Sequence, residues 1–299
     1  MYGYLPASAT QSGGTRMTSF REEWRETAAP AAGGIALPPG VLAAAAADVA
    51  EGDLTVAQLA DRLPASRAMA EAALEVVVGP DQRMNLPDAI SRITVAARAV
   101  ARVSTSIGAG TGFMIKPDLL MTNNHVFVGT DKRTATAGDA DALVLFNYEQ
   151  DMNGKLAPTK QYKTDPERFF TANLDLDYAV VAVEGNPGAE WGTLDLPAPD
   201  ISVSVGDDVF IIEHPNGGPK QIAMAGNEVA YVDDKVIQYT TDTLPGASGA
   251  PVFDWTWRLI AVHHAGGSIV EPASGKVYYR NEGIRITAIA SQLGLTANP

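Results

Sequence analysis

The chain has 299 residues, 46% of them hydrophobic and 19% charged, which gives it the apolar content for a buried core and sets it apart from disordered chains. Its 22 Lys and Arg stand against 35 Asp and Glu, a net charge of −13 that repels phosphate backbones, so no nucleic acid is expected as a partner. Cysteine is absent, which excludes disulfides, thiolate metal sites and a cysteine nucleophile.

Residues 1–34 read as a flexible tail. No apolar run precedes the charged stretch REEWRE, so no secretory signal is expected. The alanine-rich run Val41–Ala50 is too short to span a bilayer, so the expectation is a cytoplasmic protein without membrane contact. Residues 35–100 predict a small α-helical module. Leu54, Leu59 and Leu63 recur at helical spacing, Met69, Leu74 and Val77 follow on a second stretch, and Gly79-Pro80 stops it. Asp53 and Ser66 suit N-caps, and a third helix is expected over Pro87–Arg98.

From about residue 101 the period switches to two. Short apolar runs (GFMI, ALVLF, YAVVAV, DVFII, RLIAVHH) alternate with Gly, Pro, Asp and Asn clusters and predict an all-β barrel or sandwich. Asn186–Asp200 reads as a crossover between two halves, and IRITAIASQLG predicts a terminal helix over 285–294.

Three segments can carry chemistry: TNNHV with His125, LDLDYAVV with Asp177, and PGASGAP with Ser248. A serine hydroxyl needs an adjacent base to become a nucleophile, and histidine titrates close to working pH. A carboxylate on the far side of the ring fixes the tautomer and stabilises the imidazolium. Gly246 and Gly249 let the backbone curl so that the N–H groups of Gly246 and Ser248 aim at one spot, an oxyanion hole worth about 3–4 kcal/mol per donor. Each segment alone has an ordinary structural explanation; their conjunction does not.

In the order His, Asp, Ser, with TNNHV, DYAVV and GASGAP, the chain resembles the trypsin/chymotrypsin-like serine endopeptidases. The likeness is greatest to the cysteine-free bacterial branch that includes glutamyl endopeptidases, and HtrA proteases are more distant. It covers residue 103 to the C-terminus. It implies an α+β multidomain chain in which two antiparallel six-stranded β-barrels (about 103–190 and 200–285) follow the α-helical module. His125 and Asp177 then come from the first barrel and Ser248 from the second. No cofactor and no metal are implied.

The resemblance also bears on specificity. Ala247 occupies the place of the aspartate that receives a freed N-terminus in zymogen-type enzymes, so that activation switch cannot operate. Asp242 stands where trypsin carries the aspartate that selects basic side chains, whereas Thr243 and His263 match the threonine and histidine with which glutamyl endopeptidases grip acidic ones. The two signals oppose each other, and both leave a polar or charged residue before the scissile bond. Gly266 and Gly267 match the segment that pairs with an extended substrate. His264 takes the place of a serine that helps to hold the triad aspartate; neighbours on a strand face opposite ways, so His263 and His264 cannot share one metal. His214, before a proline, reads as a turn residue. The acidic pairs Asp207-Asp208 and Asp233-Asp234 read as solvated turns.

The expected function is peptide-bond hydrolysis through a covalent acyl-enzyme, on a peptide or protein substrate. The front module is expected to be an adaptor for a protein partner, or else a propeptide; with 8 basic and 11 acidic residues over 1–100 it is a poor DNA binder. The alternative is a latent peptide-binding scaffold with a protease fold.

Overall fold

A computed structural model describes residues 84–196, 201–241 and 243–294. The expected tail, the first two helices of the front module and Asp242 lie outside the described residues. The helix predicted over Pro87–Arg98 forms as α1 (Leu86–Ala99), with Pro87 in its first turn. It runs directly into β1 (Val100–Thr105). Ala96 and Ala99 are buried in a core shared with both sheets, so this helix packs as part of the β unit.

The first sheet comprises β1, β2 (Gly108–Lys116), β3 (Leu119–Thr122), β4 (Ala142–Phe146), β5 (Lys160–Lys163), β6 (Phe170–Asn173) and β7 (Tyr178–Ala182), in the spatial order β5-β4-β1-β2-β3-β7-β6. A one-turn helix α2 (His125–Val128) follows β3, and α3 (Pro187–Trp191) forms inside the expected crossover. The second sheet comprises β8 (Val209–Glu213), β9 (Gln221–Ala223), β10 (Val229–Val232), β11 (Val236–Tyr239), β12 (Pro251–Asp254), β13 (Leu259–Val270) and β14 (Val277–Arg285), in the order β10-β11-β14-β13-β12-β8-β9. Every pairing is antiparallel.

Each sheet therefore has seven strands where the resemblance implies six, and neither closes as a continuous ladder. Six strands of each lie between ends that one isolated bridge brings together, Thr164 with Val183 and Asp208 with Glu228. The seventh strands, β6 and β9, are hairpin partners added outside those rings, on β7 and β8.

The continuous apolar runs of the sequence follow from this architecture. Strands covered on both faces need apolar residues at every position. On β2, Met114 enters the core of the first sheet while Phe113 enters the layer between the sheets. On β7, Ala179 and Val181 point to the first core, Tyr178 and Val180 to the shared layer. On the other side Ile211 and Val252 fill the second core, while Ile212 and Phe253 face the shared layer. The terminal helix α4 (Ile286–Leu293) buries Ile286 and Ile289 in that same layer and ends at Gly294, whose φ of 63° gives a left-handed cap.

Candidate active site

Two turns and one bulge bring the polar residues together. After β3 the chain passes through Asn123 and Asn124, both fully buried, into α2. Asn124 spans the next loop: its amide donates to Arg133 O (3.0 Å) and its carbonyl accepts the Ala135 N–H (2.7 Å). Asn123 Nδ2 donates to the backbone carbonyl of Asp177 at 2.8 Å. Asp177 itself ends the four-residue turn of the β6–β7 hairpin, at a left-handed φ of 39° that Asp tolerates better than most residues. In this position its carboxylate clamps His125 twice. Oδ1 accepts the His125 backbone N–H at 3.0 Å, and Oδ2 lies 2.7 Å from Nδ1 of the ring. Burial pushes the Asp177 carboxyl up, but hydrogen bonds from His125 and His264 outweigh it and hold the group below the usual carboxylate range.

Ser248 sits in the turn before β12, and the glycines around it are sterically required. Gly246 has φ 100°, and a Cβ there would lie 2.6 Å from His214 O. Gly249 has φ 85°, and a Cβ there would lie 2.1 Å from Thr111 O and 2.3 Å from Thr122 Oγ1. Thr111, on β2, latches this turn to the first sheet. Its N–H donates to Ser248 O (2.8 Å), its hydroxyl donates to Gly246 O (2.8 Å), and that hydroxyl accepts the His214 N–H (3.0 Å). The serine turn thus lies against Thr122 and Asn123, the residues that lead into His125. Gly110 is flanked by both Ser248 O and Val126, the neighbour of His125. Among the described residues no hydrogen bond joins Ser248 Oγ to His125, and the N–H groups of Gly246 and Ser248 have no protein acceptor. Ala247 is fully buried.

A cleft of about 400 Å³ opens beside Ser248, lined among others by Thr243, His263, His264, Gly266 and Arg280. His263 is buried with Nδ1 2.8 Å from the Tyr239 hydroxyl; burial, and then the nearby His264 and His125, push it down to about 3, so it is neutral. Thr243 Oγ1 donates to Asn281 Oδ1 at 2.9 Å, and Asn281 Nδ2 donates to Thr241 O. A Cβ at Gly266 would meet Asn281 Oδ1 at 2.1 Å, so a side chain there would have to displace the Asn281 amide. Thr243, His263 and Gly266 are thus brought to one cleft with Ser248. Asp242 lies outside the described residues.

His264 departs from simple strand alternation. The β13–β14 pairing steps from His263↔Gly283 to Ala265↔Glu282, leaving His264 as the extra residue of a β-bulge. Its Nδ1 lies 3.3 Å from Asp177 Oδ2 and its Nε2 lies 2.9 Å from Glu282 Oε1. Burial disfavours its charge, but the two carboxylates outweigh burial and raise it to about 9.

Sequence reasoning missed Thr111, Glu282 and Gln238, and it placed His214 only in a turn. His214 does precede a turn, yet it is fully buried, stacks on Tyr148 with 6.1 Å between ring centroids, and contributes the carbonyl that Gly246 must clear. Burial is the main cause that pushes it down to about 3. Asp207 and Asp233 accept backbone N–H groups within their own turns, as expected of turn residues.

A family model described as the trypsin-like peptidase domain matches residues 110–262, a little over half of the chain. The protein y4fB of Sinorhizobium fredii is 38% identical over 199 residues, 59% of this chain and 29% of that protein. A glutamyl endopeptidase of Bacillus licheniformis is 26% identical over 198 residues, 63% of this chain and 58% of that protein. The chain therefore spans less than two thirds of the length of these curated relatives. The active form of the Rv3671c protease of M. tuberculosis superposes with a TM-score of 0.49 at 18% identity, covering 75% of this chain and 95% of that one. On the family match, this chain belongs to the trypsin-like peptidase domain family.

Proposed function

We propose that this chain is a serine endopeptidase with Ser248 as nucleophile, His125 as general base and then acid, and Asp177 as the orienting carboxylate. The observation that carries this reading is the two-point clamp of Asp177 on His125, set beside the glycine-bracketed turn of Ser248. With Nδ1 donating to Asp177, the lone pair of Nε2 is free to take the Ser248 proton as Oγ attacks the scissile carbonyl carbon. The carbonyl oxygen becomes an oxyanion between the N–H groups of Gly246 and Ser248. His125 then returns the proton to the leaving amine, and an ester to Ser248 remains. Water, deprotonated by the same ring, hydrolyses that ester and restores the serine.

The cleft beside Ser248 presents Thr243, His263, Arg280 and Asn281, and this polar lining supports a polar side chain before the scissile bond. The latent-scaffold alternative requires a decayed site, and the clamped histidine gives no sign of one.

The test is labelling of the full chain with a fluorophosphonate, which phosphonylates only an activated serine. Wild type is expected to label and Ser248→Ala is not. Equal labelling of the two proteins, or none of either, would refute the assignment. A peptide library then reads the side-chain preference.

A further inference from the structure

Nδ1 and Nε2 of His264 each face a carboxylate oxygen, Asp177 Oδ2 at 3.3 Å and Glu282 Oε1 at 2.9 Å. A neutral imidazole has one N–H and one lone pair, and a lone pair aimed at a carboxylate is repulsive. Two donors are needed, which is the imidazolium. Glu282 is fixed in turn. Its Oε2 accepts Gln238 Nε2 at 2.7 Å, Gln238 is fully buried, and Glu282 and Gln238 are direct cross-strand partners on β14 and β11. The Gln238 carbonyl accepts from Arg280, whose guanidinium also pairs with Glu271 at 2.9 Å. The titratable groups facing His264 are thus Asp177 and His125, from the connections of the first sheet, and Glu282 from β14. His263, on its own strand, turns to Tyr239 instead.

We propose that Glu282 is a positioning residue for the triad: by holding His264 as a cation against Asp177, it fixes the triad carboxylate and cancels the positive charge that His264 brings there. This rests on the catalytic reading of His125, Asp177 and Ser248. Asp177, His264 and Glu282 together carry one net negative charge behind His125, the same as a lone aspartate. Without Glu282 the cation would neutralise Asp177 and weaken its support of the His125 imidazolium. Without His264 two carboxylates would face the ring. The ring nitrogens of His125 and His264 lie within about 6 Å of each other through the shared Oδ2, close enough for one charge to move a titration by about one pH unit.

The experiment uses the full chain and a fluorophosphonate, with the labelling rate followed against pH in wild type, Glu282→Gln, His264→Ser and the double variant. The acid limb is expected to move to lower pH in Glu282→Gln and to higher pH in His264→Ser, by roughly one unit each. In the double variant it is expected to return toward wild type, and Glu282→Asp is expected to stay near wild type. A side chain with only a packing role would alter the rate and leave the limb in place, and coincident limbs in all proteins would overturn the proposal. Histidine ¹⁵N NMR supplies a readout that needs no activity, since the chain has four histidines to assign. Both nitrogens of His264 are expected to be protonated at pH 7 in wild type, and one to be lost near neutral pH in Glu282→Gln. A neutral His264 in wild type overturns the proposal. Should wild type fail to label while His264 is protonated, the catalytic reading fails instead, and with it any role in a triad.

Discussion

Gly249→Ala isolates the packing that sets the serine turn. The new methyl carbon would lie 2.1 Å from Thr111 O and 2.3 Å from Thr122 Oγ1, both on strands of the opposite sheet. It must retreat by about 1 Å to reach ordinary contact, against neighbours packed at crystal-like density. Overpacking of this kind costs about 1–3 kcal/mol, and a left-handed backbone costs a non-glycine residue about 1–2 kcal/mol more. The expected destabilisation is about 3–4 kcal/mol. Gly267→Ala is the matched control: φ is 106°, and a Cβ there meets nothing within 4 Å, so only the backbone cost remains. At about 2–4 °C per kcal/mol for a domain of this size, Gly249→Ala should melt roughly 10 °C below its parent and Gly267→Ala roughly 4 °C below. Thermal unfolding followed by circular dichroism, in a Ser248→Ala background to prevent self-cleavage, reads both. In the active background, a displacement of about 1 Å at Ser248 should slow fluorophosphonate labelling on the order of 10²-fold. If Gly249→Ala were no less stable than Gly267→Ala, the two sheets would not be pressed together at this turn, and the steric account of Gly249 would be wrong.

Two further outcomes follow from buried polar groups. Thr111→Val keeps the shape of the side chain but leaves Gly246 O without its donor and the His214 N–H without its acceptor; a loss of about 2–4 kcal/mol with slower labelling is expected, and parental stability in urea titration would remove Thr111 as the latch. Glu213 is buried with Oε2 unpartnered, and burial raises it to about 7, above its usual value of 4.5. The folded state therefore binds this proton more tightly than the unfolded state, so stability falls as pH rises from about 4.5 to 7. Glu213→Gln should abolish that fall and be roughly 1–3 kcal/mol more stable than wild type at pH 8. Identical dependence of the urea midpoint on pH in both proteins would refute it. His264 acts in another window: its contribution is fully present below its unfolded value of 6.5 and is lost as pH rises through about 9.

Much of the candidate site is legible in one dimension because chemistry restricts residue types there. A histidine at the end of an apolar strand, an aspartate before another, and a serine between two glycines each reflect a local requirement. The positive φ of Gly246 and Gly249 is a demand on their own backbone and is local, whereas their close approach to His214, Thr111 and Thr122 is set by the fold. The short apolar runs set between Gly, Pro, Asp and Asn clusters likewise announce β-strands. Legibility stops where partners are distant in sequence. Thr111 is an ordinary strand threonine until β2 meets the serine turn, 135 residues away from Gly246. Glu282 is an ordinary acidic residue in YYRNEG until the bulge at His264 swings that ring toward it. The seventh strand of each sheet was illegible for a related reason, since FTAN and QIA are too short and too little patterned to announce pairing before their hairpins close.

By itself, then, the order of residues determined which groups could react, where the backbone had to be glycine, and that the chain beyond about residue 101 would be built of β-strands, because these depend on local geometry and side-chain chemistry. The tertiary structure alone decided that His264 lies between Asp177 and Glu282, that His263 binds Tyr239 and stays neutral, and that α1 belongs to the shared core. Those outcomes depend on which surfaces meet, and on the desolvation and Coulomb energies that arise only once they have met.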